Sequence, residues 1–210
     1  ATADALLPEH DAVLLIVNDS EYGGSGGSYA VVSTNSWGPQ MVLHEVGHSF
    51  AGLADEYEDA YPGFVFSDIY PNVSPTAVRE ELKWADFVAE ETELPTPESA
   101  ATGALAPVGA YEGACYQSTG LFRPVNACLM RTLENGPCPV CGEALILSYY
   151  GFVAPIDASA PSETALAGAS GESIEFSVDV VEPSPSTVAI AWSIDGTQVS
   201  GEAGLTVPYA

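Results

Sequence analysis

Apolar positions along this chain fall into several distinct rhythms. The first, "HDAVLLIVND", is an unbroken apolar run between polar residues, and it predicts a buried central strand over Asp11–Asn18. "EYGGSGGSYAVVS" follows; its glycines suit a tight or mobile loop, and Tyr29–Ser33 predicts a short strand. From Ser36 to Gly52 the rhythm turns helical. Ser36 is placed to cap, Pro39 suits the first turn, Met41, Val42, Leu43, Val46, Phe50 and Leu53 form the apolar body, and Gly52 is a terminator. Val78, Leu82, Ala85 and Val88 recur at helical spacing and predict a helix over Thr76–Glu91. "ELPTPESAATGALAPVG" has linker composition, residues 111–137 carry turns and cysteines, and Val140–Tyr150 predicts a last helix stopped by Gly151.

Near residue 155 the rhythm changes again. "PIDASAPSETALAGASGE" reads as a linker, and "SIEFSVDVV", "TVAIAWSIDG" and "GLTVPYA" alternate as antiparallel strands do, with turns at Pro183–Ser186 and Asp195-Gly196. Trp192 amid this alternation is similar to the core tryptophan of an immunoglobulin-like sandwich, but the stretch is too short for that fold's usual seven strands. The expected organisation is therefore α+β over residues 1–154, then a linker and partial all-β immunoglobulin-like module over 155–210. No internal repeat stands out.

Composition narrows the function. Hydrophobic residues make up 47% of the 210, enough for a packed globule, and no apolar run reaches the roughly 18 residues of a membrane helix. Acidic residues number 29 against four basic ones, Arg79, Lys83, Arg123 and Arg131, for a net charge of -25. Such a chain repels phosphates and anionic lipid, which excludes nucleic acid and simple membrane docking as partners. Dense acid with one lysine also suits salty water, where self-repulsion is screened. The chain starts at Ala1 with no signal peptide visible and reads as a processed or excised piece, so the missing signal says nothing about secretion. Cys115, Cys128, Cys138 and Cys141 contain one close pair only, so disulfides in an oxidising compartment are expected ahead of structural zinc or free thiols. The sequon Asn72-Val73-Ser74 is weakened by Pro75, and the glycine-rich loop lacks GxxxxGK[ST], which argues against a nucleotide site.

The chemistry concentrates in "MVLHEVGHSF". On a helix, His44 and His48 lie one turn apart on one face and can aim both imidazoles at one point, as zinc requires. Glu45, rotated by about 100 degrees, reaches a water held at that ion and can take its proton. Against an accidental pairing stands Gly47, since a mid-helix glycine costs about 1 kcal/mol and a close backbone contact would explain it. A third ligand must come from elsewhere. His10 precedes a strand and reads as an exposed loop residue; Asp55, Glu56 and Glu58 are the nearby carboxylates.

"HEVGHSFAGLADEY" resembles the metzincin layout HExxHxxGxxH/D, in which the glycine ends the helix and the chain turns back to deliver the third ligand. Here Gly52 comes one place late, while Asp55 keeps the spacing from the glycine. That favours Asp55 as ligand, with Glu56 as the alternative ligand or a structural neighbour. Together with "KWADFV", "FRPVNACLMR" and "CPVC", the string from about residue 11 to 151 is similar to the IgA-peptidase family of bacterial zinc metallopeptidases. The resemblance implies a metzincin-like domain, with a mixed twisted sheet, an active-site helix and a C-terminal helix, lacking its N-terminal strands here. It implies one catalytic Zn2+; calcium is not indicated by any residue pattern. Met130 would form the Met-turn beneath the zinc, and Tyr29–Ser33 would be the upper edge of the cleft, pairing with extended substrate. Some metzincins carry a tyrosine two residues past that methionine to hold the tetrahedral intermediate. This chain has Thr132 there, which leaves Tyr57, Tyr111, Tyr116 and Arg123 as candidates for transition-state or substrate contacts. For Arg123 and Arg131 a structural salt bridge is the competing reading. Cys128 would pair with Cys138 or Cys141 around Met130, leaving Cys115 for the other.

The leading expectation is a secreted or cell-surface bacterial zinc endopeptidase acting on protein or peptide. The alternatives are a surface binding or adhesion protein on a metallopeptidase scaffold, for which the β-rich C-terminal module argues, and a zinc hydrolase of a non-peptide amide.

Overall fold

In the computed structural model, residues 2–98, 107–186 and 188–208 are described. After a short helix, α1 (Thr2–Leu6), the first apolar run forms β1 (Leu14–Val17), and the glycine-rich stretch contributes β2 (Gly24–Ser25) before β3 (Ala30–Ser33). The strands pair in the order β1-β3-β2, with β1 parallel to β3 (Leu14↔Ala30) and β2 antiparallel to it (Gly24↔Val32). Two expectations change here. β1 is not a buried central strand: among the described residues it pairs with β3 alone, and its four side chains are exposed. The middle strand is β3, expected at the cleft edge, and β2 is an edge strand of this sheet.

α2 (Gly38–Ala51) packs against β3. Pro39 sits in its first turn, but Ser36 does not cap it. Trp37 is the N-cap and carries no side-chain cap; its N–H donates instead to Asn35 Oδ1 (2.7 Å). Gly52 ends the helix in the left-handed region (φ 62), where the N–H groups of Gly52 and Leu53 satisfy His48 O and Gly47 O. Gly47 is explained by a side chain rather than a backbone: a Cβ there would meet Met130 Sδ at 2.9 Å.

No helix forms over Thr76–Glu91. The segment makes two short 3-10 turns, Arg79–Glu81 and Ala85–Phe87. Tertiary bonds override the local spacing. Arg79 donates to the carbonyls of Val88, Ala89, Glu90 and Thr92, Lys83 to those of Tyr70 and Val73, and Trp84 is buried with its Nε1–H on Gly109 O (2.7 Å). Of the expected linker over 93–109, residues 99–106 lie outside the described residues.

β4 (Tyr111–Ala114) and β5 (Gln117–Arg123) form a hairpin whose turn residues, Cys115 (φ 47) and Tyr116 (φ 63), both have positive φ, as a two-residue I′ turn requires. α3 (Pro139–Tyr149) is the expected last helix. The main apolar core joins Leu53, Trp84, Met130, Val140 and Ala144; a smaller one joins Ala54, Val73, Cys115 and Leu121.

The chain divides into two compact units, Ala1–Ser148 and Tyr149–Ala210. In the second, β7 (Ser173–Val180) lies between β10 (Gly204–Pro208) and β6 (Ile156–Ala160), all antiparallel. β6 falls where a linker was expected. β8 (Trp192–Ile194) and β9 (Thr197–Ser200) form a hairpin around Asp195-Gly196, and Trp192 lies 6.2 Å from the ring of Phe176. Thr187, Tyr209 and Ala210, at the ends of two expected strands, lie outside the described residues. No helix among the described residues is long and apolar enough to cross a membrane.

Candidate metal centre and active site

The 3.6-residue period of α2 puts His44 and His48 on one face, with their Nε2 atoms 3.1 Å apart. Each ring is fixed through its other nitrogen. His44 Nδ1–H donates to Leu129 O (3.0 Å) and His48 Nδ1–H to Leu53 O (2.7 Å). A carbonyl only accepts, so both Nε2 atoms are left as lone-pair donors toward one point. The turn after Gly52 brings Asp55 to the same point. Its Oδ1 is 3.1 Å from His44 Nε2 and 3.2 Å from His48 Nε2. Asp55 Oδ2 accepts a short hydrogen bond from the Tyr116 hydroxyl. The three ligand atoms lie within 4.8 Å of one another and form a facial N2O set that fits a divalent transition metal such as zinc.

The three side chains also bias one another's charge. Burial opposes a charge on Asp55, but the adjacent imidazoles of His44 and His48 and the hydrogen bond from Tyr116 hold its carboxyl well below the usual range. Burial likewise opposes a proton on His48, and Asp55 outweighs it, raising the imidazole above its ordinary value. Glu45 is lifted by burial, with His44 and His48 pulling it back. The phenol of Tyr116 is pushed up by burial and by Asp55, so it stays protonated and donates.

Glu45, Tyr57 and Arg131 line a cleft of about 630 Å³ together with His44, Trp37 and Gly24. β2 lies close over the helix: a Cβ on Gly24 would come within 2.4 Å of Glu45 Oε1, and one on Gly26 within 2.5 Å of His48 Cβ. Those glycines read from sequence only as a turn; their contact with α2 could not be seen there. Met130 is buried and its sulfur abuts Gly47, under the histidine pair. His10 stands apart, its Nδ1 on Leu7 O.

Other candidates fall elsewhere. Tyr111 is fully buried with its hydroxyl on Pro107 O, so it does not face the cleft. Arg123 is also fully buried; it ties Glu112 O, Gly113 O and Asn126 O to Glu98, a structural role and not a substrate contact. Tyr116 spends its hydroxyl on Asp55, while Tyr57 lines the cleft with Glu45. Glu56 turns away from the histidines. Its carboxylate meets Cys128 Sγ (3.0 Å), Asn72 Nδ2 (3.0 Å) and Cys141 Sγ (3.5 Å). Asn72 is thereby fully buried, so the weak sequon is not a surface site.

The disulfides expected from the cysteine count are not formed: all four thiols are free and buried. Cys115 packs in the smaller core, whereas the other three belong to the main one. Cys128, Cys138 and Cys141 converge on Glu56 instead.

Two imidazoles and a carboxylate around one point, beside a buried glutamate in an open cleft, define a metallopeptidase-type site. The family model described as IgA Peptidase M64 matches residues 2–104 and 99–148, and the chain belongs to that family, a family of metallopeptidases. No curated protein matches it.

Proposed function

We propose that this protein is a zinc-dependent endopeptidase, metzincin-like in its catalytic unit, that works outside the bacterial cell. The observation that carries the reading is the ligand trio: His44, His48 and Asp55, each held by its own hydrogen bond, beside Glu45. When bound there, zinc would supply Lewis acidity, polarising the peptide carbonyl and lowering the pKa of water to about 7. Glu45 takes the proton from the attacking water and delivers it to the leaving amine. Its burial supports this, since a carboxyl lifted above its ordinary value can return a proton as well as accept one. Tyr57, whose phenol is also pushed up by burial and by Asp55, stays protonated and donates to the developing oxyanion. The exposed edge of β2 offers main-chain groups to an extended substrate. The extracellular assignment rests on the acid-rich composition, because free thiols withdraw the disulfide argument. We read the second unit as a partial immunoglobulin-like accessory module.

The test is Glu45→Gln. This variant should retain zinc and lose about 10²–10⁴-fold in cleavage of a denatured protein. Chelation of the wild type should abolish cleavage, and added zinc should restore it. Cleavage by Glu45→Gln at the wild-type rate would refute the assignment.

A further inference from the structure

Behind the histidine trio lies a second convergence of ligands that the peptidase reading does not use. Cys128, Cys138, Cys141 and Glu56 each present one ligand atom, and the four atoms lie within 4.8 Å of one another. All four residues are buried, Glu56 and Cys141 completely. Cys128 Sγ and Cys141 Sγ are 4.0 Å apart. Tetrahedral ligands about 2.3 Å from a zinc ion stand about 3.8 Å from each other, so the cluster is already near that size. Cys138 and Cys141 form a C-x2-C step at the start of α3, the spacing structural zinc sites use.

Two further observations point to an ion. Glu56 is a fully buried carboxyl, and among the described residues no cationic side chain bonds its oxygens; Arg131 takes its backbone carbonyl and the Glu58 carboxylate instead. Buried carboxylates are paired, neutralised or bound to metal, and this one meets two cysteine sulfurs and the Asn72 amide. Backbone amides also point at the sulfurs: Met130 N–H at Cys128 Sγ (3.4 Å) and Cys141 N–H at Cys138 Sγ (3.5 Å). Amide donors stabilise thiolates. The ordinary alternative, cysteines as small core hydrophobes, accounts for the burial but not for a carboxyl placed among them.

We propose that Cys128, Cys138, Cys141 and Glu56 bind a second, structural zinc ion in a closed Cys3Glu site. The three thiolates and the absence of an open position separate it from the catalytic centre, and borderline-soft zinc suits a set of three thiolates and one carboxylate. Binding releases the protons of the thiols and of Glu56 and involves no electron transfer. The ion joins three segments that build the catalytic wall. Glu56 follows the ligand Asp55, and its N–H donates to Met130 O (2.8 Å). Cys128 precedes Leu129, whose carbonyl orients His44. Cys138 and Cys141 anchor the start of α3.

The proposal is independent of the peptidase assignment, and one set of measurements separates them. Full-length protein purified without chelator should contain two zinc equivalents, and His44→Gln/His48→Gln should retain one. After cobalt exchange, sulfur-to-cobalt charge-transfer absorption should appear in both proteins, because the histidine–aspartate trio cannot produce it. Wild-type protein alone suffices should the double variant fail to fold. A wild-type cobalt spectrum without thiolate bands, or an intact mass revealing a disulfide among these cysteines, would overturn the Cys3Glu site. Loss of the histidine-bound equivalent alone would leave it standing.

Discussion

At the scale of single residues, the centre is set by what holds each ligand. Tyr116 is the clearest case. It sits at positive φ in the β4–β5 turn, a conformation that disfavours a bulky residue, and its hydroxyl fixes Asp55. Tyr116→Phe should weaken zinc binding by about 10–100-fold, with activity recovering as zinc is added. Unchanged affinity in a zinc-buffer titration would show that Asp55 needs no such support. His44, Glu45 and His48 were legible in the sequence because one helical turn brings them together. The departure of the glycine by one place left Asp55 and Glu56 open, and only the path of the chain after Gly52 separates them. Tyr111 and Arg123 were misplaced because nothing local distinguishes a tyrosine or arginine facing a cleft from one facing inward.

Among the elements, the contact between β2 and α2 decides how Glu45 is aimed. Gly24 is exposed and does not have positive φ, so alanine there meets no backbone strain. Its Cβ would nevertheless displace the Glu45 carboxylate. Gly24→Ala should therefore keep its melting temperature and its zinc while losing about 100-fold in kcat. A fall in metal content instead would mean that β2 positions the ligands rather than the glutamate. Helix α2 and strands β7 and β10 formed where their sequence periods placed them, whereas the run ending at Gly196 gives only β8. The failure over Thr76–Glu91 has a definite cause: Arg79 and Trp84 bond groups distant in sequence, and those bonds outweigh a helical pattern carrying Val78 on its exposed side. β1 misled because an unbroken apolar run signals two covered faces, whereas it gains a single neighbouring strand.

For the whole molecule, charge is the dominant property. With 29 acidic residues and four basic ones, each of the latter engaged by carbonyls or a carboxylate, most surface acid has no counterpart. Screening shortens from about 10 Å at 0.1 M salt to about 3 Å at 1 M. The melting temperature should rise across that interval in sodium chloride; a flat or falling curve would contradict self-repulsion as the limit on stability. This much was legible from composition. The fate of the cysteines was not, because a count of four suggests pairing while their spatial grouping is three and one.

The engagement of those cations has a further consequence. Arg79, Lys83 and Arg131 are the only residues in the chain beside which trypsin cuts, since Arg123 is followed by Pro124, and each side chain that would enter its specificity pocket is tethered to a neighbouring loop. The native protein should survive trypsin for hours and be digested once unfolded, so its persistence on a gel would measure how often those loops open.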